Sequence, residues 1–328
     1  MTLVDRPILV LVDHTEHGEL APASAQVLTA ARTLTSGGIA ALSTVATPDV
    51  AGLQRYGATD ILIPELGGAS PRVGAVVADA LAAAAAEIAP AAILCTANYL
   101  GREITGRLGV TLSGGAVVDA ISLEFGDGGL SVTKSTLAGA WTTTALVTRG
   151  TPVVAVRPGA YEALPADPAG ETPTVREVPV TLSAEATGIT VVSSDAQSGS
   201  GRVPLTEAQV VVVGGRGTDG DFGPVEALAD LLGGAVGATR VCSDEGWVPR
   251  SLQIGQTGVN ISPNLYIGLG VSGAIHHTAG MQSSAHIVAV CDDPDAPIFE
   301  MCDFGVVGDL FEVVPQAISA IEKARAGQ

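Results

Sequence analysis

Short apolar runs alternate with segments of helical period along most of this chain, and that alternation restricts the fold more than any other feature. Ile8 to Asp13 reads as a strand. Pro22 to Leu34 then places Val27, Leu28, Ala31 and Leu34 at helical spacing, and Ile39 to Val45 returns as a strand. Asp60 to Pro64, the Ala-rich Pro71 to Ile88, and Ala91 to Thr96 repeat the unit, and a further helix runs from about Gly101 to Gly114. Strands joined through helices lie parallel with both faces covered, so the predicted class is α/β with doubly wound, mostly parallel sheets. Between Ala116 and Val156 the pattern turns β-rich, with strands expected over 117–123, 130–137, 143–148 and 153–156. Residues 158–174 read as surface loop, and 175–182 and 189–192 as edge strands.

A small, polar, unpatterned run from Ser193 to Gly201 has the composition of a flexible linker. It predicts two α/β domains, 1–194 and 205–328, joined by 195–204. The second starts with a buried strand over 208–213 and the turn Gly214-Gly215-Arg216-Gly217, followed by a helix from Pro224 to Leu232 and a strand and turn over 235–241. A later stretch carries the densest pattern. The apolar run Leu265 to Val271 turns through Ser272-Gly273 into a helix start over 274–281, and a strand over 286–290 leads to Cys291. Gly305 to Leu310 is expected to open the last helix. Two strand ends and two helix starts would then meet at one crevice, where unpaired helix N–H groups favour an anionic or carbonyl-rich ligand.

Composition removes several function classes. The 34 acidic against 16 basic residues give a formal charge of −18, which opposes binding to a phosphate backbone. The most apolar stretch, 80–97, is broken by Glu87 and Pro90, so no membrane span is expected. No basic leader precedes the first strand, and Cys95, Cys242, Cys291 and Cys302 form no CxxC pair. A cytoplasmic protein with reduced core thiols is the expectation.

Two arginines lie where open α/β sheets bind ligands: Arg216 in the glycine turn, and Arg240 after Thr239 at the next strand's end. Either they face an anionic ligand, or the turn is only a tight connection and the arginines pair with the many surface acids. His276 and His277 are adjacent, so on a helix they point about 100° apart and cannot ligate one metal together. No metal site is expected. No nucleophilic triad, HExxH or Walker pattern occurs, which argues against substrate chemistry of the chain's own.

The segments Gln256-Thr257-Gly258, Leu265-Tyr266-Ile267, Gly270 to Ile275, His277, Ala279-Gly280-Met281, Asp293-Pro294, Ala296 to Phe299 and Gly308 to Phe311 resemble the electron-transfer flavoprotein alpha subunit. Gly214 to Gly217, Val236 to Arg240, Gly101-Arg102-Glu103 and Val156 to Gly159 extend the resemblance to the whole chain. It implies a FAD-binding subunit, heterodimeric with a beta subunit that the N-terminal domain contacts. Such a protein accepts electrons from dehydrogenases, as in fatty-acid beta-oxidation, and passes them singly to an acceptor such as a membrane quinone oxidoreductase.

The resemblance further implies that Arg240 lies near the isoalloxazine ring, that the Thr257 hydroxyl reaches N5, and that His277 donates on the O2 side. Ser272, Gly273, Ala274 and Ile275 would meet the ribityl and pyrophosphate region, with Ile254, Gly255 and Gln256 lining it. Arg216 and Thr239 complete the site, with Asp309 and Leu310 toward the adenosine. Two positions depart from the family pattern: His276 stands where Gln is usual, and Cys291 where Asn is usual, so the hydrogen bond expected at the latter is lost from the side chain.

The physics of such a role needs a cation, because reduced flavin gains negative charge. At an effective dielectric of ~20 a charge ~4 Å away contributes on the order of 4 kcal/mol, which bounds the effect of Arg240 on a potential near ~150 mV. A stand-alone flavin or nicotinamide oxidoreductase and a nucleotide-sensing regulator are the competing readings. The linker also suggests that the FAD domain swings to reach partners.

Overall fold

The computed structural model describes residues 3–15, 18–137, 141–166, 172–193 and 202–326. The chain divides into two compact units, Met1–Ala196 and Gln197–Gln328. Residues 195–201 of the expected linker lie outside the described residues.

In the first unit the chain runs β1 (Ile8–Val12), α1 (Pro22–Arg32), β2 (Ile39–Ser43), α2 (Val50–Arg55), β3 (Asp60–Glu65), α3 (Gly74–Ile88) and β4 (Ala92–Thr96). It continues through α4 (Tyr99–Thr111), β5 (Ala116–Gly126), β6 (Gly129–Thr136), β7 (Trp141–Val147), β8 (Val153–Val156), β9 (Thr174–Pro179) and α5 (Ala184–Thr187). One sheet results, in the order β7-β6-β5-β8-β4-β1-β2-β3-β9. From β5 to β9 every neighbouring pair is parallel, while β5, β6 and β7 form an antiparallel extension. Strands β1, β2, β4 and β8 are buried along their whole length, which is why they read as uninterrupted apolar runs. Val27, Leu28 and Ala31 of α1 cover one face, and Val77, Leu81, Ile104 and Leu108 of α3 and α4 the other. Helix α3 stops at Ala89, which is left-handed and precedes Pro90. The Arg6 guanidinium then donates to the Ala89 and Pro90 carbonyls at 2.7–3.1 Å, satisfying the helix end.

Two short helices, α2 and α5, make fewer than two turns and so show no repeating apolar spacing in the sequence. Asp49 caps α2 by accepting from Gly52 N–H at 2.9 Å, and Ser183 caps α5 by accepting from Ala186 N–H at 3.2 Å. The edge strand expected over 189–192 does not form. Ile189, Val191 and Val192 are exposed, so an extended segment there has no face to bury.

The second unit runs β10 (Val210–Gly214), α6 (Gly223–Leu232), β11 (Ala235–Ala238), α7 (Arg240–Asp244), β12 (Leu265–Leu269), α8 (Ile275–Thr278), β13 (His286–Cys291), β14 (Phe304–Val307) and α9 (Leu310–Ala326). Its sheet has the order β11-β10-β12-β13-β14 and is parallel throughout. Val211, Val212 and Val213 of β10 are fully buried, each contributing about 1.5–3 kcal/mol of apolar burial. Helices α6 and α9 pack on one face around Val225, Leu228 and Val314, and Ile254, Ile261 and Met281 close the other.

Two expectations are corrected here. Gly305 to Val307 belongs to β14, paired with β13, and the last helix starts only at Leu310. Asp309 separates them by capping: its Oδ1 accepts from Phe311 N–H at 2.8 Å. The helix expected over 274–281 is a single turn, α8, too short for an appreciable dipole. Among the described residues no helix is long and apolar enough to cross a membrane.

Candidate functional site at the carboxyl edge of the second sheet

The chain leaves β10 for β11 on one side and returns to β12 on the other, so the topological switch lies between β10 and β12. The two turns leaving these strands are packed backbone to backbone. Gly217 N–H donates to the Gly270 carbonyl at 3.1 Å, and a Cβ on Gly215 would lie 2.1 Å from that oxygen. Small residues are needed there because the chains themselves meet.

Beyond this contact, five successive peptide N–H groups, Ser272 to His276, have no acceptor among the described residues. The Ser272, Ala274, Ile275 and His276 residues are exposed, and so are Arg216 and Arg240 on the neighbouring strand ends. Strands β10 and β11 pair Gly214 with Ala238, so both arginines stand two residues past one register row. Arg216 forms no ion pair among the described residues; Arg240 Nε lies 3.1 Å from Asp244 Oδ2, and Arg250 reaches the other oxygen at 3.4 Å. A row of free amides flanked by cations in a chain this acidic suits an elongated anionic ligand, and FAD, with its diphosphate, fits these residues.

The loop before β12 is fastened to α8. Gln256 N–H donates to the His276 carbonyl at 2.7 Å, and His276 Nδ1 lies 2.9 Å from Gln256 Oε1. Gly255 is buried under the same turn. Gln253, buried, donates through Nε2 to Thr257 Oγ1 at 3.0 Å, and Thr257 is exposed. His277 behaves unlike its neighbour: it is buried, with Nδ1 3.0 Å from the Ile254 carbonyl and Nε2 2.8 Å from Tyr266 Oη. Burial pushes its pKa down to about 4, against the smaller opposing effect of the Ile254 carbonyl.

The sixteen positions marked in the sequence thus divide. Arg216, Arg240, Gln256, Thr257, Ser272, Ala274, Ile275 and His276 present exposed groups along the edge, with Thr239 half-buried as the N-cap of α7. Gly255 and Gly273 offer backbone only. Ile254, Cys291 and Leu310 bury their side chains in the core and can offer a ligand only their peptide groups. Burial also raises the pKa of the Cys291 thiol. Asp309 sits at the start of α9, past β14 on the far side of β13. Gln253, Tyr266 and Asp244 were not singled out. Asp244 was legible as the i+4 partner of Arg240, and Tyr266 as the one hydroxyl inside an apolar strand. Among the described residues no cluster of His, Cys, Asp or Glu is placed to hold a metal.

A doubly wound unit places its ligand crevice at this edge, and the exposed amides and arginines give the crevice an anion-binding character. Residues 204–282 match the electron transfer flavoprotein FAD-binding domain, and residues 8–183 the electron transfer flavoprotein domain. The chain is 47% identical to the electron transfer flavoprotein subunit alpha of Mycobacterium leprae, over 97% of this chain and 99% of that protein. It is 45% identical to that of Mycobacterium tuberculosis strain H37Rv over 98% and 99%, and 41% identical to that of Syntrophomonas wolfei over 82% and 84%. It belongs to the electron-transfer flavoprotein alpha-subunit family, and its cofactor is FAD.

Proposed function

We propose that this protein is the FAD-carrying half of a heterodimer with an electron-transfer flavoprotein beta subunit. It accepts electrons from dehydrogenases, those of fatty-acid beta-oxidation among them, and passes them singly to a quinone-linked acceptor, in the cytoplasm. The domains are those drawn from the sequence, 1–194 and 205–328 with 195–204 between, and the first contacts the beta subunit. Bound FAD supplies the one-electron chemistry. The chain's own residues hold and bias it. The N–H groups of Ser272, Gly273, Ala274 and Ile275 take the diphosphate, and Arg240 and Arg216 supply positive charge. Thr257 offers a hydroxyl to the ring, while Gln256, His276 and the backbones of Ile254 and Gly255 line the cofactor. Thr239, Cys291, Asp309 and Leu310 complete the contacts, the last two at the adenosine end.

The observation that supports this reading best is the run of unpaired amides from Ser272 to His276 beside two exposed arginines. Co-production with the beta subunit should yield a yellow heterodimer that releases FAD on denaturation. It should be reduced by a substrate-loaded acyl-CoA dehydrogenase without turning over that substrate itself. A colourless protein, or substrate turnover without a partner dehydrogenase, contradicts it.

A further inference from the structure

Tyr266, the second residue of β12, is fully buried among Val211, Val213, Ile254 and Met281. Its hydroxyl has one partner among the described residues, His277 Nε2 at 2.8 Å. Room for that hydroxyl comes from Gly268, where a Cβ would lie 3.1 Å from Oη and 3.0 Å from the ring edge. The other ring nitrogen of His277 faces the Ile254 carbonyl at 3.0 Å.

The direction of both bonds follows from what each atom can do. A carbonyl oxygen only accepts, so Nδ1 carries the hydrogen. In the neutral ring Nε2 is then the acceptor, and the phenol donates to it. A charged ring would present a second N–H to the phenol oxygen and leave the phenol hydrogen without an acceptor in an apolar surround, a costly arrangement.

What this ring holds is the loop that presents the cofactor-facing groups. The Nδ1–H bond fixes the Ile254 carbonyl. Two residues on, Gln256 N–H is tied to the carbonyl of His276, and Gln253 holds the Thr257 hydroxyl. We infer that Tyr266 is a positioning residue of the flavin site, whose hydroxyl locks His277 as the neutral Nδ1–H tautomer and so sets the Ile254 to Thr257 loop against the cofactor. This rests on the FAD reading above. It also means that His277 brings no charge to the flavin, and that neither of its ring nitrogens is free to donate while Tyr266 occupies Nε2.

The test uses the FAD-loaded heterodimer with 15N-labelled histidine. A long-range 1H–15N spectrum of the parent at neutral pH should show the His277 ring as one neutral species protonated at Nδ1. An Nε2–H tautomer or an imidazolium there overturns the inference, and that measurement needs no variant. In Tyr266→Phe the Ile254 carbonyl still holds the Nδ1 hydrogen but Nε2 loses its donor. The Nε2 resonance should therefore move, the ring should take up a proton at higher pH than in the parent, and the flavin midpoint should move, with FAD content retained. Gly268→Ala, which crowds the phenol without removing it, should move the Nε2 resonance and the midpoint in the same sense. A midpoint equal to the parent's in a variant whose ring signature has changed would confine Tyr266 to packing and overturn the inference. A preparation holding no FAD would instead refute the functional reading, and the ring spectrum would still decide the tautomer.

Discussion

Arg240 and Asp244 stand one helical turn apart on α7 and are paired, Nε to Oδ2, at 3.1 Å. The cation proposed to serve the reduced flavin therefore carries its own counter-charge, which Arg250 shares at 3.4 Å. Both side chains are largely exposed, at 63% and 41%, so solvent screens the arginine and the bound near ~150 mV set by an unscreened charge shrinks to roughly tens of millivolts. Arg240→Ala should lower the flavin midpoint by that order, and Asp244→Asn, by freeing the cation, should raise it. Spectroelectrochemical titration of both variants reads the two signs. Shifts in the same direction would mean that α7 does not face the ring.

Thr257 is held by Gln253 in a way that commits its hydroxyl. The amide Nε2–H donates to Oγ1 at 3.0 Å, so the hydroxyl hydrogen is left to donate outward. Thr257→Ala removes that donor, and a neutral hydrogen bond of about 0.5–1.5 kcal/mol corresponds to about 20–60 mV for one electron. Thr257→Ser keeps it. Stepwise photoreduction should give altered spectra for the alanine variant and parent-like spectra for the serine variant; if all three superimpose, Thr257 only closes a turn.

The parts of this molecule that were legible beforehand share a physical cause. A parallel strand covered on both faces must be apolar at every position, so β1, β4, β10 and β12 are written in the sequence as unbroken runs. The two arginines were legible because the turns that carry them directly follow such runs. Helices α2, α5 and α7 were not, since four to six residues make fewer than two turns and show no repeat of the apolar spacing; side-chain caps start α2 and α5. Gly305 to Val307 reads equally as a strand or a helix entry, and pairing with β13 decides it. The family motif marks where the backbone passes the site and leaves side-chain direction open: Ile254 and Leu310 turn inward, and His277 spends both ring nitrogens on the protein.

Burial of His277 links acid to stability. Its pKa falls from 6.5 in the unfolded chain to about 4 in the fold, so between these values the unfolded state binds a proton that the folded state refuses. Stability is therefore complete above about pH 6.5 and drains away as pH falls toward 4, by roughly 3 kcal/mol for this ring. His277→Gln keeps a donor for the Ile254 carbonyl but cannot titrate. Whatever its stability at pH 7, its loss between pH 6.5 and 4 should be smaller than the parent's. Urea unfolding read at Trp247, with Trp141 replaced by Phe, follows the second unit. Parallel acid limbs in the two proteins would show the ring already charged or open to solvent.

Two left-handed glycines separate backbone strain from site geometry. Gly273 has φ +85°, and a Cβ there would lie 2.3 Å from Ile298 N, whose N–H donates to the Ser272 carbonyl at 3.1 Å. Gly233 has φ +65°, ends α6, and has nothing within 4 Å of the same construction. Gly233→Ala should cost only the conformational term, about 1–2 kcal/mol, and leave FAD content intact. Gly273→Ala bears the same term and must also displace the 297–300 turn, losing a hydrogen bond of ~1 kcal/mol and tilting the N–H groups of Ser272 to Ile275. Its melting temperature should fall further, and FAD should wash out at concentrations where Gly233→Ala stays loaded. If both variants lose stability equally and both retain FAD through gel filtration, the amides following β12 do not hold the cofactor, and the site must be sought elsewhere along the sheet edge.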